Sequence, residues 1–115
     1  MINYEPGEVI TIPFPFTDLT TAKKRPALII SSRAFNQTHD DLILVAITSQ
    51  KPFEVKSDEY LLPTTEQQSA GLPKLSKIRC GKIVTIHQRL VRKRLGQIST
   101  TALNEIIKLD IGNLS

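Results

Sequence analysis

Residues 7–32 read GEVITIPFPFTDLTTAKKRPALIISS, and this stretch decides the fold. Glu8 to Pro13 is apolar, extended and rich in β-branched residues, which favours a strand. Pro13-Phe14-Pro15-Phe16 cannot continue as a central strand, because each proline lacks an N–H donor. Thr17 to Lys24 is polar and short-chained, a loop. Arg25-Pro26 then opens a second run, Ala27-Leu28-Ile29-Ile30, apolar on both faces and so expected to be buried. Two strands thus present a polar loop whose exit carries Lys23, Lys24 and Arg25. Three successive cations at the mouth of a strand pair point to an anionic ligand.

Further along, Ser31 to Asp41 reads as a connection. Leu42 to Ile47 is the next strand, ending at Thr48-Ser49-Gln50 and stopped by Lys51-Pro52. Glu59 to Leu62 is a short strand closed by Pro63, and Thr64 to Gly71 is polar. Ser76 to Ile86 is the longest extended segment. Alternation puts Ile78, Cys80, Val84 and Ile86 on one face and Lys77, Arg79, Ile83 and Thr85 on the other. Gly81 beside Lys82 marks a bulge or sharp bend. Leu90 to Ile98 is basic, with a turn expected at Gly96. Only the tail reads as helix: Ser99 is the N-cap, and Leu103, Ile106, Ile107, Ile111 and Leu114 recur at helical spacing. Ala102 stands where a capping box needs an acid, and Gly112 stands where a C-terminal cap is expected. Several short strands followed by one helix predict a mainly β protein, a small, strongly bent antiparallel barrel.

The chain has 115 residues, enough for one domain, 1–115, with one core. With no Trp and few aromatics, that core must be built of Ile, Leu and Val. No apolar run reaches the roughly 20 residues of a membrane span. MINYEPGEV lacks the basic and apolar regions of a signal peptide. The single cysteine, Cys80, allows no internal disulfide and fits a reducing cytoplasm; on an apolar face it reads as a core residue. No Cys/His spacing suggests a metal. The net charge of +4 is unevenly spread. From Lys74 to Arg94 there are eight cations and no acid, while Asp40, Asp41, Glu54, Asp58, Glu59 and Glu66 gather elsewhere. Such a field attracts phosphates or an acidic protein segment; the alternative is a solvated basic face.

GEVITIPFPFTDL, KKRPALIIS, LVAITSQ, AGLPKLSKIRCGKI and RLGQIS, in this order and spacing, resemble the PemK/MazF family of toxin endoribonucleases. The resemblance implies an SH3-like barrel of the CcdB/PemK type with a C-terminal helix, assembled as a homodimer. It implies sequence-selective cleavage of single-stranded RNA, mRNA included, without metal or other cofactor. It also implies an acidic cognate antitoxin as partner, with a larger toxin–antitoxin complex open. Two other functions stay in view: a CcdB-like toxin that binds gyrase without catalysis, and a nuclease-dead RNA- or antitoxin-binding module.

RNA carries its own nucleophile, the ribose 2′-hydroxyl, so such an enzyme needs chiefly to stabilise phosphoryl charge and help move two protons. The resemblance assigns the catalytic pair to Arg25 and Thr48. The guanidinium fork matches a phosphate bidentately, and Thr48 can donate to a phosphoryl oxygen. A guanidinium is a poor base, so Arg25 is read as an electrostatic clamp and an acid toward the leaving 5′-oxygen. The competing reading of Arg25 is a structural pair with Asp18; that of Thr48 is β-propensity at a strand end. Ser49 and Gln50 are read as base or backbone contacts. Phe16 is read as stacking on a base, Thr17 and Asp18 as reading base edges, and Lys23 and Lys24 as phosphate contacts, while Phe14 is read as a core or hinge aromatic. Lys77 and Arg79, side by side on one strand face, are expected to contact the phosphate backbone rather than be buried. Lys74 and Lys82 are weaker candidates, and Arg92-Lys93-Arg94 reads as solvated. His39 and His87, the pair a histidine-based ribonuclease would use, are linked by nothing in the sequence.

Overall fold

The computed structural model describes residues 3–13 and 24–114; Phe14, Phe16, Thr17, Asp18 and Lys23 lie outside the described residues. Six strands form one antiparallel sheet: β1 Glu8–Pro13, β2 Lys24–Ile29, β3 Asp41–Thr48, β4 Glu59–Leu61, β5 Lys77–His87 and β6 Lys93–Gln97. Their order across the sheet is β4-β5-β3-β2-β1-β6. The helices are α1 Arg33–Thr38, α2 Thr64–Ser69 and the C-terminal α3 Thr100–Leu114. A mainly β chain ending in a helix is what the sequence predicts.

β2 lies inside the sheet, and Ala27, Leu28 and Ile29 are all fully buried. Strand alternation splits them between two apolar clusters. Leu28 joins Val9, Val45 and Ile78 in the cluster that α3 covers with Ala102, Leu103 and Ile106. Ala27 and Ile29 join Ile10, Ile12, Leu42, Leu44 and Tyr4 in the other.

β5 serves both clusters because it bends. Its register against β3 jumps from Val45↔Ile83 to Ala46↔Arg79, leaving Cys80, Gly81 and Lys82 out of step. Ile78 and Cys80 enter the first cluster, while Val84 and Ile86 pack on the second. A Cβ on Gly81 would lie 2.4 Å from Asp58 Oδ2, so a larger residue at the bend would oblige the Asp58 carboxylate to swing aside. The bulge expected at Gly81 is therefore present.

Four local expectations are corrected. The 31–41 connection contains α1, capped by the Ser32 hydroxyl, which accepts from the Phe35 N–H at 3.1 Å. The polar 64–71 segment contains α2. Gly96 makes no turn; it sits within β6, where a Cβ would lie 2.2 Å from the Ser69 carbonyl oxygen. Gly96 is thus a close-approach glycine between strand and helix. Helix α3 also runs past Gly112 to Leu114.

Ser99 does cap α3, accepting from the Ala102 N–H at 3.1 Å. The acid that a capping box would place at residue 102 comes instead from α2. Glu66 accepts from the Ser99 N–H at 2.8 Å and from its hydroxyl at 2.6 Å. A second tie to α3 runs from the Tyr60 hydroxyl to Glu105 Oε2, 2.7 Å. Burial and the adjacent Glu105 carboxylate push the Tyr60 phenol up to about 12.

Candidate active site

The β2–β3 ladder pairs Ala27 with Ala46, Leu28 with Val45 and Ile29 with Leu44. Carried two residues further, this register sets Arg25 opposite Thr48. The two also line one cleft of about 430 Å³ at that end of the sheet. Ser49 and Gln50 continue its wall from β3. Pro26, Ile47, Leu72, Pro73 and Leu95 give it apolar walls, and Thr11, Gly71, Lys74 and Ser76 complete its lining.

Arg25 is exposed, and among the described residues it has no ion-pair partner. Its side chain is accessible at the cleft. Thr48 is half-buried at the last position of β3, and its Oγ1 accepts from the Gln50 N–H at 3.2 Å. That bond fixes the hydroxyl and leaves its proton to be donated into the cleft. Thr11 Oγ1 is buried without a hydrogen-bond partner among the described residues and borders the same space. Lys51, just beyond Gln50, holds a left-handed backbone with φ of 46°, unusual for a residue with a side chain.

Lys24 is exposed at the start of β2, one residue from Arg25. Arg79 is half-buried. Lys77 departs from expectation. Its side chain is only 7% exposed, with Nζ 3.0 Å from Glu59 Oε1 and 2.6 Å from the Glu54 carbonyl oxygen. A buried cation must be paired, and Lys77 is used up in that pairing rather than offered to a phosphate. Glu59 lies at the centre of this group. Burial would raise its pKa. The Lys56 N–H, the Lys77 ammonium and Arg79 outweigh that effect together and hold it below the ordinary 4.5.

Arg94 also departs from the solvated reading. Its Nε lies 3.2 Å from Glu8 Oε2, and its guanidinium stacks 4.5 Å above the Tyr4 ring. His39 and His87 come near one another, through the Asp41↔His87 register and the Gln88 side-chain bond to the His39 carbonyl, 3.0 Å. They sit, however, at the far end of β3 from Thr48, about 23 Å away along an eight-residue strand. Both rings are engaged locally: His39 stacks on Phe35, and His87 Nδ1 accepts from the Arg89 N–H at 3.1 Å. Among the described residues, no group of three His, Cys, Asp or Glu is arranged to hold a metal ion, and no helix is long and apolar enough to cross a membrane.

The residues that sequence reasoning missed are the apolar walls. Leu72, Pro73 and Leu95 come from segments far from Arg25, and the β1–β6 ladder, with Gly96 lying close against the end of α2, brings Leu95 to the cleft. The signal for it was Gly96, beside Leu95, read as a turn.

A bent antiparallel sheet with a terminal helix, opening at one end into an arginine–threonine cleft, defines a small β protein with a cationic end-of-sheet site. Residues 5–109 match the family described as PemK-like, MazF-like toxin of type II toxin–antitoxin system, and the chain belongs to that family. Its relatives include endoribonuclease MazF2 of Mycobacterium bovis and endoribonuclease MazF6 of Mycobacterium tuberculosis. Each is 28% identical over 86 residues, 74% of this chain and 73% of the relative. Among solved structures, the fold is shared with a mycobacterial endoribonuclease in complex with its cognate antitoxin. That match has a TM-score of 0.78 at 17% identity, covering 96% of this chain and 94% of the other. It is shared likewise with MazF from Deinococcus radiodurans, TM-score 0.77 at 18% identity, covering 99% and 98%.

Proposed function

We propose that this protein is the endoribonuclease toxin of a toxin–antitoxin pair and cleaves single-stranded RNA at the Arg25–Thr48 cleft. The observation that carries the reading is the convergence of these two side chains, from separate strands, on one accessible cleft. The naming of the mycobacterial relatives as endoribonucleases supports it.

In the proposed reaction the ribose 2′-oxygen attacks the adjacent phosphorus. A bond from O2′ to phosphorus forms and the bond from phosphorus to O5′ breaks, giving a 2′,3′-cyclic phosphate and a 5′-hydroxyl. The 2′-proton passes to water, and a proton reaches the leaving 5′-oxygen. Arg25 binds the non-bridging oxygens as their charge grows and supplies or relays that proton, being replenished from solvent. Thr48 donates to a phosphoryl oxygen and, held by the Gln50 N–H, fixes its direction. The nucleophile belongs to the substrate, so this route needs neither a metal nor a protein nucleophile.

The partner in this reading is an antitoxin whose acidic segment covers the same cleft. One solved structure sharing the fold is a mycobacterial endoribonuclease in complex with its cognate antitoxin, and another is MazE–MazF from Deinococcus radiodurans. A homodimer acting in the cytoplasm completes the proposal. The test is incubation of the purified protein with a mixed RNA pool in the presence of EDTA. Fragments ending in cyclic phosphate, lost with Arg25→Ala, are expected. Intact RNA together with gyrase inhibition would replace this reading with that of a gyrase-binding toxin.

A further inference from the structure

Thr48 and Gln50 are shared by two recesses. One is the cleft that holds Arg25. The other, about 280 Å³, opens beside the same two residues and is polar. Its lining includes four cations, Lys51, Lys56, Lys77 and Arg79, against two acids, Glu54 and Glu59. Lys77 and Glu59 neutralise each other at its base, where both are buried. What faces outward is Lys51, Lys56 and Arg79 against Glu54 alone, an excess of positive charge in a concave site.

Arg79 is set up to use that charge. Its Nε lies 3.6 Å from Glu59 Oε2, while its side chain stays 40% exposed. A buried carboxylate thus steadies the guanidinium from behind and leaves part of its fork toward solvent. Glu59 also accepts from the Lys56 N–H at 3.0 Å, so one buried carboxylate holds the backbone of one cation and the head of another.

We propose that this recess binds the backbone phosphate neighbouring the scissile one, with Arg79 and Lys56 as its ligands. The assignment rests on the ribonuclease reading. An RNA strand whose reacting phosphate lies against Thr48 has to pass that residue. The apolar walls of the first cleft suit a base, and the cationic recess beyond Thr48 suits the next phosphate. Glu59 is a positioning residue in this arrangement and touches no substrate.

The probe is an oligoribonucleotide carrying one mapped cleavage sequence, with each phosphate flanking the scissile one replaced in turn by a neutral methylphosphonate. For the wild-type protein, one replacement should lower kcat/KM roughly 10- to 100-fold, as for loss of a charged hydrogen bond. In Arg79→Ala, and in the doubly substituted Lys51→Ala/Lys56→Ala protein, the same replacement should cost clearly less than in the wild type, because each has lost one of the two ligands of that phosphate, and it should cost least in Lys56→Ala/Arg79→Ala, which has lost both. The exposed Lys51 and Lys56 make the Lys51→Ala/Lys56→Ala protein the safest one to fold. The salt dependence of log KM on log salt should also fall, by about 0.7 for each phosphate no longer neutralised. Equal penalties in wild-type and substituted proteins, or a wild-type protein indifferent to both replacements, would overturn the assignment while leaving the ribonuclease standing. A wild-type protein that cleaves no RNA would instead overturn the ribonuclease reading itself, and this assignment with it.

Discussion

Lys77 Nζ sits 3.0 Å from Glu59 Oε1 with both side chains almost wholly buried, beside the end of β3 that carries Thr48. Lys77 is the register partner of Thr48, and its ammonium also takes the Glu54 carbonyl oxygen of the following loop. The pair therefore joins the sheet at the cleft to the loop beside it.

Removing Lys77 leaves the buried Glu59 with only the more distant Arg79 and the Lys56 N–H against its charge. Lys77→Met should lower unfolding stability by about 2–3 kcal/mol, as for loss of a charged hydrogen bond, read from urea denaturation with an unchanged m-value. A loss under about 1 kcal/mol would show that water reaches Glu59 and that the pair is not sealed.

The same pair sets a pH dependence. Glu59 titrates below 4.5 in the folded state. A depressed carboxylate adds stability that is present above its unfolded pKa and lost as pH falls through the folded one. The Tm of the wild-type protein should thus drop as pH falls below 4.5, and Glu59→Gln should show a shallower drop over the same range. Parallel acid limbs in the two proteins would assign the effect to other carboxylates.

Arg25 is exposed and Thr48 half-buried, so both can be changed without opening the core. Arg25→Ala should reduce RNA cleavage by at least about a hundredfold with an unaltered circular dichroism spectrum. Arg25→Lys keeps charge but not the fork and should recover only part of the loss. Thr48→Ser should retain more activity than Thr48→Val, since only the serine keeps a donor. Full activity in Arg25→Ala would remove the assignment.

Glu66 bridges two helices by accepting both the N–H and the hydroxyl of Ser99. Glu66→Ala should destabilise the fold by about 1–2 kcal/mol, comparable to loss of an N-cap. Adding Ala102→Glu in the same chain restores a capping-box acid in sequence, but at a buried site, and should not rescue. Rescue would mean that Ala102 has room to turn outward.

Gly96→Ala tests whether β6 needs its close approach to α2. The added Cβ would fall 2.2 Å from the Ser69 oxygen. A stability loss above about 2 kcal/mol is expected, with weaker RNA binding because Leu95 lines the cleft. A neutral substitution would show that strand and helix can separate at no cost.

The strand pattern was legible because alternation and proline punctuation act locally. Burial of β2 on both faces, the bend at Gly81 and the Ser99 cap all follow from neighbouring residues. Lys77 misled because period two assigns a face but not its depth. It shares a face with the half-exposed Arg79, yet the loop carrying Glu54 folds over one and not the other. The turn expected at Gly96 failed for a similar reason: a glycine needed for close approach has the same letter as one needed for a turn. Glu66 was invisible as a cap because it lies 33 residues from Ser99. For Arg25 and Thr48 the sequence offered the family resemblance and the fact that one starts a strand and the other ends one, but not that the two strands are neighbours. The pairing of β2 with β3 is what gives that assignment a physical basis.

Because successive residues of β2 belong to opposite clusters, sliding the strand by one position would turn both interiors inside out. The alignment that sets Arg25 opposite Thr48 is thereby locked from two sides. The 49–58 segment is held differently, by single bonds: the Gln50 N–H to Thr48 Oγ1, the Lys77 ammonium to the Glu54 carbonyl and the Lys56 N–H to Glu59. Under the proposed function, the reacting pair is therefore set by strand register while Lys56, offered to the neighbouring phosphate, rides on a loop, so the two can be altered in separate variants.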